Sequence, residues 1–571
     1  MHQVVIRDGT VVDGTGAARR VADVALDGGR ITAVGNGLGR GRREIDASGM
    51  LVTPGFVDVH THYDGQATWD PMLTPSSWHG VTTVVFGNCG VGFAPVRPGT
   101  APFLINLMEG VEDIPGSVLA EGVRFDWESF PQYLDALDAV PKIMDVGAQV
   151  PHAALRFYIM GERGADHAEV PGDEEIARMG DMLEEALRAG ALGFTTSRTI
   201  KHRASDGRPT PSLSAHEPEL FGLAKAMKRA GRGVIEVNSD FGPGEFEIMR
   251  AAAQVAGRPL SVLLLQVNNA PDLWRDTRNR IHAARAADLA VNGQVGCRPI
   301  GVMMGLETTT HPFSTHPAWT AMSRLSPAQR FEALNRDAAL RRTLIEQRPT
   351  DDHSRITEQA LPRTYVFDET YDYEPHPSQS VAARAAAQGV SPWALALEAM
   401  MANEGKGLLT HTFENYSEGS LEVVREMLLD EATIMGLGDG GAHVCTICDC
   451  SSPTFLLSHW TRDRTRGERL PLELLVRKQT RDSAAAYGLL DRGVLAPGYR
   501  ADVNVIDMAR LRLLPPQVVY DLPAGGRRLI QRAAGYRHTF VAGTEIVYND
   551  EHTGALPGRL LRGATAQPPA C

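Results

Sequence analysis

Eight short apolar runs, spaced along residues 56–440 and separated by helical segments, constrain this chain more than any other feature. They lie at the run ending in His60 and at 82–86, 143–150, 191–195, 233–237, 260–267, 294–298 and 434–437. Amphipathic segments at 173–189, 218–230 and 244–256 place apolar residues on one helical face. Strands alternating with helices build parallel sheets through crossovers, and eight such units suggest closure. The expected fold is α/β: a (β/α)8 TIM-like barrel over 56–485, with insertions near 95–140 and 305–430. The larger insertion carries helical patterns at 392–403 and 420–430 and an irregular polar stretch near 345–380.

The two ends read differently. Residues 1–55 and 486–551 hold β-rich runs broken by Asp-Gly turns, such as Asp8-Gly9 and Asp27-Gly28. They are expected to form one small β-sandwich from both chain ends. Residues 552–571 are expected to be a disordered tail, and Arg40-Gly41-Arg42-Arg43 a solvated loop.

Net charge decides against one class of partner. At −12, with no basic stripe, the chain has nothing to neutralise nucleic-acid phosphates. No run of ~18 apolar residues is present, so no membrane span is expected. The N-terminus enters a strand pattern without a signal peptide's apolar core. Six cysteines in 571 residues make no disulfide framework. A cytoplasmic enzyme acting on a small-molecule substrate fits these limits.

Barrel enzymes place chemistry at the C-terminal ends of their strands. The first run ends in His60-Thr61-His62, and an i,i+2 pair on a strand points both imidazoles the same way. That is a grip for zinc or a similar metal. The last run ends in Gly438-Asp439-Gly440, where a carboxylate could touch the metal and act as general base toward its water. The flanking glycines would let backbone and substrate come close. Cys89, in Gly87-Asn88-Cys89-Gly90, is a candidate ligand or bridge. Arg298 could pair a substrate carboxylate or form an internal ion pair. His443 could bind substrate or support the ligands. His152, His202 and His411 are read as structural or supporting, and Cys445, Cys448 and Cys450 as a buried loop cluster.

These runs also carry a family resemblance. The segment from Thr53 to His62 resembles the first-strand signature of the amidohydrolase superfamily, and Ala496-Pro497-Gly498-Tyr499-Arg500-Ala501-Asp502-Val503 resembles its return into the β-sandwich. The Gly87–Gly90 turn and the Gly190-Ala191-Leu192-Gly193-Phe194 run resemble the D-aminoacylase (N-acyl-D-amino-acid deacylase) branch. The resemblance implies zinc, one or two ions, and hydrolysis of an N-acyl amide. It implies His60, His62 and Cys89 as metal ligands and Asp439 as catalytic aspartate and ligand. The branch also implies histidines from later strands. Here those ends read Val237-Asn238-Ser239, Leu265-Gln266-Val267 and Gly296-Cys297-Arg298, so a weakened or altered metal site is expected. Asn238 and Gln266 are then expected to contact substrate. Two alternatives stand beside the main reading: a cyclic amide or lactone hydrolase, and a metal-poor barrel with a binding or non-hydrolytic role.

Overall fold

A computed structural model describes residues 1–368 and 371–569. All eight apolar runs form strands, here β1–β8: Phe56–Asp58, Val81–Phe86, Asp145–Ala148 continued after Gln149 by Val150–Pro151, Gly193–Arg198, Val234–Ser239, Leu260–Leu263, Val291–Val295 and Thr433–Met435. Each pairs in parallel with the next. The break at Gln149 divides them into a three-stranded and a six-stranded sheet. No ladder joins β8 to β1 among the described residues. The segments just beyond these two strands do meet: the Asp439 amide donates to the His60 carbonyl at 3.0 Å and the His62 amide to Gly440 at 2.8 Å.

The helices follow the apolar periodicity. Asp173–Ala189, Glu217–Ala230 and Glu245–Ala256 turn Leu183, Leu187, Leu223, Met227, Met249 and Ala253 inward. Glu175 caps the first of them and Gly190 ends it.

Both chain ends share one nine-stranded sheet. Thr53 and Val52 of the N-terminal part lie opposite Asn504 and Val505 of the C-terminal part. Val5, Ile6, Val24, Val503, Val505 and Phe540 are almost fully buried there. The arginine run departs from expectation. Gly41–Asp46 is a strand in parallel register with His2–Val11, its Ile45 buried and Arg42 and Arg43 exposed. Paired on one side only, with Arg42, Arg43 and Glu44 all exposed, it reads as a charged edge strand.

The tail departs too. Leu560 and Leu561 are buried, and the backbone of 558–565 bonds to Lys142, Val146, Gly190 and Gly488. Few apolar residues mark this stretch, so composition hid a segment held mainly by backbone hydrogen bonds.

The insertion after β7 has its own core around Trp319, Leu334, Leu344, Trp393, Leu397 and Met400. An antiparallel sheet of Ile300–Met304, Leu408–Glu414 and Thr364–Phe367 seats it beside the strand ends. The polar stretch near 345–380 contains the helix Asp352–Ala360 and the strand Thr364–Phe367. Its residues 369–370 lie outside the described residues.

Candidate active site

The strand ends converge as the pattern requires. His60 and His62 face each other edge-on, with ring centroids 5.3 Å apart. His60 Nε2 is 3.4 Å from Cys89 Sγ and 3.6 Å from Asp439 Oδ1, and His62 Nε2 is 3.8 Å from the same oxygen. One ligand atom from each of His60, His62 and Cys89 lies within 4.8 Å of the others. Ligands sharing a tetrahedral zinc at ~2.0–2.3 Å stand about 3.3–3.8 Å apart, so this donor set fits one such ion. His62 Nε2 is buried without a hydrogen-bond partner, as a ligand atom would be.

Neighbours fix the rings. Gln294 donates its amide N–H groups to Ser261 and Tyr487, which leaves its oxygen to accept from His60 Nδ1 at 2.8 Å. That proton assignment frees His60 Nε2 for the metal position. On His62, Nδ1 stands 3.3 Å from Glu112 Oε1, and neither atom has a hydrogen bond elsewhere. Burial lowers His60 to a pKa of about 4 and also lowers His62 well below the usual imidazole range, which favours the neutral, ligating form of both.

Cys89 sits in the left-handed region at φ 56°, its amide donating to Glu236. Asn88 holds the turn by donating to the carbonyls of Thr61 and Val85. Burial first, then Glu236, Glu112 and Asp439, push the thiol well up. Burial likewise pushes Asp439 well above the carboxylate range, with Asp449, Asp58, Glu414 and Glu236 adding to it. Among the described residues, Glu112, Glu236 and Asp439 are paired at this point only with histidines, which suits a metal ion.

A cavity of about 210 Å3 opens over these atoms, lined by His202, Asn238, Glu414 and His443 among others. A model of the amidohydrolase family matches residues 43–548. The chain belongs to the amidohydrolase family. N-acyl-D-aspartate deacylase of Alcaligenes xylosoxydans xylosoxydans is 26% identical over 599 residues, covering 99% of this chain and 96% of its own. D-aminoacylase of the same organism is 26% identical over 578 residues, covering 99% and 98%. A solved N-acyl-D-glutamate deacylase from Bordetella bronchiseptica, complexed with zinc and a phosphonate mimic of the tetrahedral intermediate, matches with TM-score 0.63 and 26% identity over 98% of this chain and all of its own.

Other expected residues of this amidohydrolase are placed variously. Asn238 lines the cavity, its amide 3.6 Å from Cys89 Sγ and 3.3 Å from His202 Nε2. His443 lines it too, with Nε2 3.7 Å from Glu112 Oε2. Gln266 does not reach it. Its side chain accepts from the Ser417 amide and lies 3.4 Å from Glu418, because β6 ends at Leu263 and the chain then turns toward the insertion. Arg298 is a correction of the same kind. It is buried against Asp449 at 2.9 Å, Ser451 and the Cys448 carbonyl, which is the internal ion pair rather than a substrate clamp. Burial pushes the Cys445 thiol up, the hydrogen bond with Cys448 and then burial push Cys450 up, and all three thiols stay free.

Three residues were not anticipated in these roles. His202, read as structural or supporting, reaches the cavity wall, oriented by Ser197. Glu112 enters from the end of the helix Ala101–Glu112, and Gln294 from β7. His202 and His443 thus bring two loop imidazoles to the cavity wall. The glycines beside Asp439 serve the protein's own packing. A Cβ on Gly438 would lie 1.9 Å from Asp58 Oδ2, and one on Gly440 2.5 Å from Ser76 Oγ.

Proposed function

We propose that this protein is a metal-dependent hydrolase of the N-acyl amide bond of N-acyl-D-amino acids or closely related small amides. The reading rests on one observation: His60, His62 and Cys89 bring ligand atoms within 4.8 Å of one another beneath a cavity, with Asp439 Oδ1 3.6 and 3.8 Å from the two imidazoles. The named activities of the relatives, aligned over nearly the whole chain, supply the substrate class. We read the scaffold as a (β/α)8 barrel, with the hydrogen bonds of Asp439 and Gly440 to His60 and His62, just beyond β8 and β1, as the support for closure. Residues 1–55 and 486–551 form its companion β domain.

Zinc, one ion or two, would be held by His60, His62, Cys89 and Asp439, and when bound supplies Lewis acidity toward water and the scissile carbonyl. The rest falls to the chain's own groups. Asp439, which lines the cavity, takes the proton of the attacking water and returns it to the departing nitrogen. His202 and His443, neutral through burial at pKa values of about 3 and 4, offer hydrogen bonds to the substrate. Asn238 offers its amide beside His202.

The test is hydrolysis of a panel of N-acyl-D- and L-amino acids by zinc-loaded protein, wild type and Asp439→Asn. The expected result is turnover of D-substrates that falls about 10²–10⁴-fold in the variant. Turnover unaffected by Asp439→Asn, or confined to lactones and cyclic amides, would contradict it.

A further inference from the structure

A second cavity, of about 260 Å3, adjoins the first at the C-terminal ends of β5 and β6. The two share Lys201, Asn238, Leu263 and Leu265 as walls. Beyond those residues the lining is dominated by Phe241, Leu264, Val267, Leu273 and Trp274. Its two charged side chains are both engaged within the protein. Lys201 pairs with Glu414, and Asp240 accepts from the Thr199 hydroxyl at 2.6 Å and the Ile200 amide at 2.8 Å. A small-molecule pocket typically holds ~300–1,000 Å3, mostly apolar with a few polar groups. Neither cavity reaches that range alone, and the pair does.

We propose that this second chamber is a subsite for a bulky apolar arm of the substrate, an alkyl or aryl group attached beside the scissile amide. The inference rests on the hydrolase reading above. It follows from the chemistry at the ends of β5 and β6. Asn238 and Leu265, from the ends of β5 and β6, wall both cavities, so the apolar space lies directly beside the reacting centre. An acidic arm, as in an N-acyl-aspartate or -glutamate, finds no unpaired cation in that space. Its carboxylate would lose hydration without compensation. An apolar arm instead gains from leaving water, and the lining of leucines and Trp274 offers it contact.

The arm could sit on the acyl group or on the amino acid, and the test separates these sources. One series varies the acyl group on D-alanine: acetyl, hexanoyl, phenylacetyl. The other varies the amino acid under N-acetyl: D-alanine, D-leucine, D-phenylalanine, D-aspartate. The expected result is at least a tenfold rise in kcat/KM along one series, mainly through KM, with D-aspartate the poorest of its set. Ala270→Phe, which fills the chamber from its loop, should bring that ratio toward one. Calorimetric binding of phenylacetate against acetate, and of D-phenylalanine against D-alanine, reads the same preference without turnover. A flat response in both series and in binding overturns the subsite, as does a ratio unmoved by Ala270→Phe. Apolar preference in binding without hydrolysis of any N-acyl compound would uphold the subsite and defeat the hydrolase reading.

Discussion

At the residue scale, the site is two shells with different visibility. His60, His62 and Asp439 are legible because strand ends announce themselves. An i,i+2 histidine pair has one geometric meaning, and an aspartate between glycines after the last strand has few others. Glu112 was not legible. It lies some fifty residues away, at the end of a helix in an insertion, and nothing in Glu-Gly-Val-Glu-Asp marks its last glutamate as buried. Its oxygen stands 3.3 Å from His62 Nδ1, the placement of a group that would orient this ring toward a metal. Glu112→Gln keeps the shape and removes the charge. Loss of such a ligand-orienting partner usually weakens metal binding ~10–100-fold. Chelator competition should show that loss with the circular dichroism unchanged; unchanged affinity would make Glu112 a bystander.

At the element scale, each of the eight expected runs overlaps a strand, but bounds shift by up to four residues, as where the run at 294–298 gives the strand Val291–Val295. Their functional ends were harder to place. β6 stops at Leu263, so Gln266 travels with the following turn instead of pointing over the site. Arg298 shows the related ambiguity of a buried cation, which can await a substrate or complete an internal pair. Only contact with Asp449 decides. Replacing Arg298 with Met should cost about 3–5 kcal/mol in denaturant unfolding, since Asp449 would remain buried without its counter-charge. A change below ~1 kcal/mol would mean that Asp449 is not held as an anion.

At the scale of the whole molecule, the barrel strands, the shared terminal sheet and the long insertion are tied together by buried charge. Glu374, in the insertion, meets Arg464 through two contacts of 3.0 Å, near His459. Burial acts to raise its pKa, but the contacts with His459 and Arg464 outweigh burial and hold it at about 2. A carboxylate depressed in the folded state stabilises fully above its ordinary value of ~4.3, and that contribution is lost as pH falls toward 2. Glu374→Gln should therefore flatten the dependence of stability on pH between about 4.5 and 2; an identical acid-unfolding profile would rule the pair out as an acid-sensitive tie. Such long-range pairs cannot be read from a single sequence, because Glu374 and Arg464 share no periodic pattern.

The central claim is that four residues from three strand ends make one metal site. Elemental analysis of gently purified protein tests it most directly. Wild type should carry at least one zinc-class ion per chain, and folded His60→Ala and His62→Ala variants should carry none. Wild type that is active yet metal-free, or variants that retain the full metal content, would contradict the account.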